Sequence, residues 1–192
     1  MKYLRLYESF DEVEIDEICR IHWIYDYTIN PDGSIDVNKS VELSYYGLTK
    51  IPIQFNKVND DFFCSYNNIK TFEGAPKEVN GVFCCDYNQL TSFKYAPKRI
   101  NEDFSCISNN IITFEYFPSY VGGHFNCFGN PIFQVWNLFV DLTKIELLND
   151  YDIFRDEDTK EPGIVMARLN DFLLEIGKEP VKNINQYWYK NI

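Results

Sequence analysis

The chain has 192 residues, with 29 acidic side chains against 18 basic ones and a formal net charge of −11. No cluster of Lys and Arg offsets that charge, so phosphate backbones and anionic membrane surfaces are excluded as expected partners. Hydrophobic content of 45% and aromatic content of 17% supply a packed core, and no apolar run approaches the roughly 18 residues of a membrane span.

Taken in order, the opening Met1 to Glu12 lacks a continuous apolar stretch and turns acidic at once, unlike a secretory signal. Ser9-Phe10-Asp11-Glu12 reads as a capping box, in which the Ser hydroxyl takes an orphan amide and the Glu reaches back. The helix it starts carries Ile15, Ile18, Cys19 and His22 at the spacing of one buried face. Tyr25 to Ile29 alternates like a strand, Asn30-Pro31-Asp32-Gly33 is a turn signal, and Ile35-Asp36-Val37 returns as the second strand of a hairpin. Residues 1–36 are therefore expected to form an N-terminal cap.

From Val58 to Phe139 the chain repeats every 21 residues. In register, Val58, Val79, Ile100 and Val121 form one column, and Phe62, Phe83, Phe104 and Phe125 the next. Cys64, Cys85, Cys106 and Cys127 follow, then Asn67, Asn88, Asn109 and Asn130, then Ile69, Leu90, Ile111 and Ile132. Phe72, Phe93, Phe114 and Val135 form a later column, and Pro76, Pro97 and Pro118 another. A diverged copy upstream places Val37, Val41, Leu43, Leu48 and Ile51 in the apolar slots and Tyr46 in the Asn slot. Phe and Cys, one residue apart, point inward from a short parallel strand, and the Asn amide turns inward to satisfy backbone groups left by the curved coil. The segment after each Asn is too short and too rich in Pro for an α-helix, and is predicted to run extended or as a 3₁₀ turn.

Beyond Asn130 the repeat dissolves. Asp141 is predicted to cap a helix through Thr143 to Asn149, residues 155–163 a polar loop, and Ile164 to Gly177 a second helix. The tail with Tyr187, Trp188 and Tyr189 is expected to pack back onto this helical C-terminal cap, spanning residues 140–192, rather than to act as an aromatic hook.

The pattern Phe-x-Cys-x-x-Asn-x-Ile/Leu resembles the leucine-rich-repeat core, and its period lies in that family's range. Asn88-Gln89-Leu90-Thr91-Ser92-Phe93 and Asn67-Asn68-Ile69-Lys70-Thr71-Phe72 resemble the short bacterial class, with Phe for Leu and a displaced Pro. The phrases Gly74 to Val79 and Asn30 to Val37, with the Lys2 to Phe10 opening, look like small leucine-rich-repeat proteins of large tailed phages. The resemblance implies an α/β repeat solenoid: a right-handed leucine-rich-repeat coil of about five turns over residues 37–139, with one parallel strand per repeat, an irregular convex side and a concave face for partners. Some bacterial relatives append a ubiquitin-ligase domain with a nucleophilic Cys; here no cysteine follows Cys127, so that activity is not expected.

Candidate sites follow from this frame. The stacked cysteine column suits a buried core better than a tetrahedral metal site, and Cys84, one place before Cys85, is expected to point outward as an exposed thiol. Only His22 and His124 are present, and no phosphate loop or metalloprotease motif appears, so no enzyme activity, cofactor or metal is expected. The outward strand positions Asp61, Phe63, Tyr66, Val82, Asp86, Tyr87, Asp103, Ile107, His124, Asn126 and Phe128 mix apolar and aromatic side chains with carboxylates, the composition of a protein interface. The expected function is non-catalytic binding of a protein partner, such as a host factor, in the cytoplasm, where four cysteines in one core column also fit best. The alternative is a virion-associated or capsid-delivered protein, because Leu6-Tyr7-Glu8 before Ser9 resembles the cleavage pattern of phage head-maturation proteases. The partner's identity and the oligomeric state stay open at this point.

Overall fold

The computed structural model describes residues 12–155, 163–184 and 189–191. Helix α1 (Glu12–Ile21) buries Ile15 and Cys19, with Ile18 and His22 half-buried beside them. Of the expected capping box only Glu12 is among the described residues, and Leu6 to Ser9 lie outside them. Strands β1 (Tyr27–Ile29) and β2 (Ile35–Val37) form the expected antiparallel hairpin around the Asn30 to Gly33 turn, where the Gly33 amide donates to the Asn30 carbonyl at 2.9 Å.

The repeat region is a parallel β-solenoid of about four turns. Its strands are β3 (Val41–Glu42), β4 (Phe55–Val58), β5 (Phe62–Phe63), β6 (Glu78–Val79), β7 (Phe83–Cys84), β8 (Arg99–Ile100), β9 (Phe104–Ser105), β10 (Tyr120–Val121) and β11 (Phe125–Asn126). They sort into two sheets, β1-β2-β4-β6-β8-β10 and β11-β9-β7-β5-β3. The expectation of one strand per repeat is therefore corrected: each turn contributes two. The second strand leaves no periodic trace in the sequence because it is mostly two residues long, with a single in-out step such as Lys57-Val58, Glu78-Val79 or Arg99-Ile100. Strand β2 pairs in parallel with β4, so the hairpin that begins the chain's sheet is also the solenoid's first rung, and the boundary expected at residue 36 falls inside it.

Register is strict where side chains are large. Phe62 lies beside Phe83, Phe83 beside Phe104 and Phe104 beside Phe125, with ring centroids 5.3–5.6 Å apart along the column. Phe72, Phe93 and Phe114 close the interior from the opposite side, all buried. Each buried ring contributes about 1.5–3 kcal/mol, and only stacking on neighbouring turns removes both of its faces from water.

Between the strands the backbone bends under cover, and the Asn column makes this possible. Asn88 Nδ2 donates to the carbonyls of Cys64, Cys85 and Asp86, and its Oδ1 accepts from the Ile69 amide. Asn67 and Asn109 repeat this set, and Asn130 repeats its core. The residue before each Asn, and Tyr45 before Tyr46 in the same slot upstream, is left-handed: Tyr45, Tyr66, Tyr87, Ser108 and Gly129 have φ of 64°, 55°, 53°, 53° and 76°. Left-handed backbone costs about 1–2 kcal/mol for a non-glycine residue, and the buried amide network that follows it offsets that cost. The return segment is a turn rather than a helix: Ala75, Ala96 and Phe117 amides reach back three residues, and Gly74, Tyr95 and Tyr116 carry the positive φ that a type II turn requires.

After the last rung, α2 (Phe133–Phe139) lays Trp136 and Phe139 against Phe114, and Trp136 also against Phe125, closing that end of the aromatic core. The Asp141 side chain accepts from the Thr143 amide as expected, opening a 3₁₀ turn (Leu142–Lys144) that runs into α3 (Ile145–Asp150). The second predicted helix is α4 (Met166–Glu175); Ile164, assigned to it, lies instead in a strand. That strand belongs to a small sheet, β12 (Phe154–Arg155), β13 (Gly163–Ile164) and β14 (Lys190–Asn191), so this end is not purely helical. Most of the predicted polar loop, and Tyr187 and Trp188, lie outside the described residues. Tyr189 is buried and donates to the Ile112 carbonyl at 2.9 Å, so this part of the tail does pack back.

Asn88→Ala removes the partners of a buried amide and of buried carbonyls, each worth about 1–3 kcal/mol when orphaned. We expect a loss of about 3 kcal/mol, read as a lower urea midpoint at unchanged slope, against less than about 0.5 kcal/mol for the exposed Gln89→Ala.

Candidate partner-binding face

All eleven predicted binding residues fall on the outward face of the β3-β5-β7-β9-β11 sheet or on its immediate flanks, in four rows set by the 21-residue register. The first row is Asp61, Val82, Asp103 and His124, just before the strands. The second is Phe63 and Asn126, with Cys84 and Ser105 between them. The third is Asp86, Ile107 and Phe128, continuing Ser44 and Ser65. The fourth is Tyr66 and Tyr87.

The carboxylates have a structural duty that composition did not reveal. Asp61 Oδ1 accepts from the Val82 amide, Asp86 Oδ1 from the Ile107 amide and Asp103 Oδ1 from the His124 amide, each at 2.7 Å. Ser44 and Ser65 hydroxyls do the same for the amides of Ser65 and Asp86. Each side chain thus accepts a backbone amide one turn further on. Asp86 Oδ1 also takes the Ser105 hydroxyl at 2.6 Å. One oxygen of each aspartate is committed in this way. The His124 ring is almost wholly exposed, its Nδ1 3.4 Å from Asp103 Oδ1.

The aromatic part of the face is a ladder. Tyr45, Tyr66 and Tyr87 stack with ring centroids 4.5 Å apart at both steps and interplanar angles of 8° and 11°. That spacing follows the distance between neighbouring strands, about 4.8 Å, and the shared left-handed backbone aims all three rings the same way. Shelter between the neighbouring rings pushes the Tyr66 hydroxyl pKa up, followed by Tyr45, Tyr87 and the Asp86 charge. Tyr45 was missing from the predicted set, although its 21-residue spacing from Tyr66 was visible. Phe128 is 60% exposed and rests edge-on against Phe133 at 5.2 Å; Phe63, Val82 and Ile107 are half-buried.

No family model, curated protein or solved structure matches this chain. Its site is therefore read from its own geometry.

The cysteine column is buried as expected, and burial pushes its thiols up, Cys127 to about 12. Cys84 departs from the exposed thiol that was expected. It is half-buried, with its sulfur 3.2 Å from the Ser65 hydroxyl, and burial raises its pKa. Among the described residues, no group of three or more His, Cys, Asp or Glu side chains is placed to hold a metal ion, and no helix is long and apolar enough to cross a membrane.

Two further surface features went unread. Asn38, Asn59, Asn80 and Asn101 form an external amide ladder, with Nδ2 of Asn59, Asn80 and Asn101 donating to the Asn Oδ1 one turn earlier at 2.9–3.2 Å. It stops at Gly122, where a Cβ would lie 2.1 Å from the Asn101 carbonyl oxygen. On the return side, grooves of about 560 and 540 Å³ share Tyr95, Ala96 and Lys98, with Lys77 in one and Lys94 in the other. Lys57, Arg99 and these lysines lie outside the face segments that carry the tyrosine ladder.

The thiols give a direct check on this placement. In native protein we expect a thiol-specific disulfide reagent at pH 8 to label Cys84 first and the four column cysteines only on unfolding. Because folding raises the buried thiol pKa values, that part of stability is complete below the unfolded value of 9.0 and is lost as pH rises above it. Denaturant midpoints between pH 8 and pH 11 should fall accordingly, and less steeply when Cys127 is replaced by Ala.

Proposed function

We propose that this chain is a non-catalytic scaffold that holds a protein partner on the outward face of the β3-β5-β7-β9-β11 sheet. In this reading it is a leucine-rich-repeat protein of the short bacterial type, akin to the small ones of large tailed phages, and it acts on a host factor in the cytoplasm. The observation that carries the reading is one of contiguity. Tyr45, Tyr66, Tyr87 and Phe128 are all at least 45% exposed, and they flank the strands of one hydrogen-bonded sheet with Phe63 and Ile107 half-open among them. Scattered exposed apolar residues need no explanation; a rigid row of aromatics rimmed by carboxylates has the make-up of a binding hot spot. Rigidity also favours binding, since the hydrogen-bonded rungs leave little backbone freedom to lose.

The test is affinity capture from host lysate with wild type and with Phe63→Glu plus Phe128→Glu. The expected result is a stoichiometric partner captured by wild type and lost with the double variant, whose thermal midpoint should stay within a few degrees of wild type. Capture of the same partner by both proteins would sink the assignment of this face.

A further inference from the structure

We infer that the partner presents an arginine, whose guanidinium stacks on the outer face of the Tyr87 ring, above Ser108 and Gly129. The inference rests on the reading that this sheet face binds a protein, and it names the chemistry of the contact.

The ladder ends abruptly. Tyr45, Tyr66 and Tyr87 occupy three successive rungs, and the next two places in the same row are Ser108 and Gly129. The backbone does not change, since Ser108 and Gly129 keep the left-handed φ of 53° and 76°. Only the rings stop. Tyr66 covers one face of Tyr87, and among the described residues no ring covers the other. Two rungs of small side chains extend roughly 9–10 Å along the axis, which leaves room for a planar group at stacking distance. At the last rung Phe128 stands exposed in the neighbouring row, held by Phe133.

Charge selects which planar group. The segments 40–45, 61–66, 82–87, 103–108 and 124–129 contain Glu42, Asp61, Asp86 and Asp103 and not one Lys or Arg; Lys39 lies one position outside the first. Asp86 is the carboxylate next to the open place. It precedes Tyr87, and its Oδ1 holds the amide of Ile107, the residue before Ser108. Among the described residues no Lys or Arg pairs with this carboxylate. A neutral aromatic ring would stack on Tyr87 but leave the carboxylate charge unanswered. An ammonium would answer the charge but present no plane. A guanidinium does both, being planar, weakly hydrated and forked toward a carboxylate.

The test uses short, blocked peptides alternating Arg with Ser, or Lys with Ser, titrated calorimetrically at low ionic strength into the full chain. Wild type should bind the Arg peptide at least about fivefold more tightly than the Lys peptide. Tyr87→Ser should weaken the Arg peptide about tenfold and leave the Lys peptide about unchanged. Serine already occupies this backbone conformation at Ser108, so the variant should keep the fold, checked by an unchanged thermal midpoint. Lys98→Glu, on the return side, serves as the control and should change little. Equal affinity for the two peptides, or an Arg affinity indifferent to Tyr87→Ser, would overturn the stacking site. If the Arg peptide fails to bind while the Phe63 and Phe128 changes still abolish partner capture, the arginine assignment falls and the scaffold reading stands. If both fail, both fall.

Discussion

A backbone that coils through its own core must hide polar groups where water cannot reach them, and the rest of this molecule depends on how one asparagine per turn answers that demand. The side chains of Asn67, Asn88, Asn109 and Asn130 each join two successive turns, donating to carbonyls in both and accepting an amide from the earlier one. An unpaired buried amide or carbonyl would cost about as much as a buried phenylalanine supplies. With the network complete, the Phe and Cys columns can stack without a polar defect between them. The upstream copy shows the same logic by exception. Tyr46 stands in the Asn slot and is exposed; β3, beside it, is the edge strand of its sheet, with no earlier rung to join.

The left-handed residue before each Asn links that core requirement to the surface. Its backbone conformation turns the Asn inward and its own side chain outward, so whatever occupies the column is displayed in register along the axis. Tyrosine in three consecutive turns makes a stacked ladder; serine and glycine in the next two end it. The face therefore takes its character from positions that the fold constrains in backbone but leaves free in side chain. The aspartates on the same face are less free. Asp61, Asp86 and Asp103 each hold an amide one turn on, which ties their side chains to the coil.

The two ends are closed by different means. At the start, the β1-β2 hairpin lends its second strand to the first sheet while α1 buries Ile15 and Cys19, leaving no break between cap and coil. At the far end, Trp136 and Phe139 on α2 meet the last rings of the aromatic column. Short strands of two residues have little pairing strength alone, so the stack relies on a core that is closed at both ends. Lys57, Lys77, Lys94, Lys98 and Arg99 lie on the first sheet and the return side, mixed with acids such as Glu78, which pairs with Lys57.

The sequence by itself determined the period, the inward columns and the rows that share a face, because a 21-residue repeat fixes which side chains become neighbours once the turns stack. It also placed the helix caps at Asp141 and the hairpin turn at Gly33, since those depend on local backbone chemistry alone. What the tertiary structure decided was where each polar group is spent. The second strand of every turn is too short to leave a periodic trace, and only pairing with the turns on either side makes it a strand. Asp86 reads as an exposed acid until the Ile107 amide is brought to it from the next turn. Tyr45 and Tyr66 are only two tyrosines 21 residues apart until their rings meet at 4.5 Å. Both contacts join residues a full turn apart, and their distances and partners exist only after the solenoid has closed.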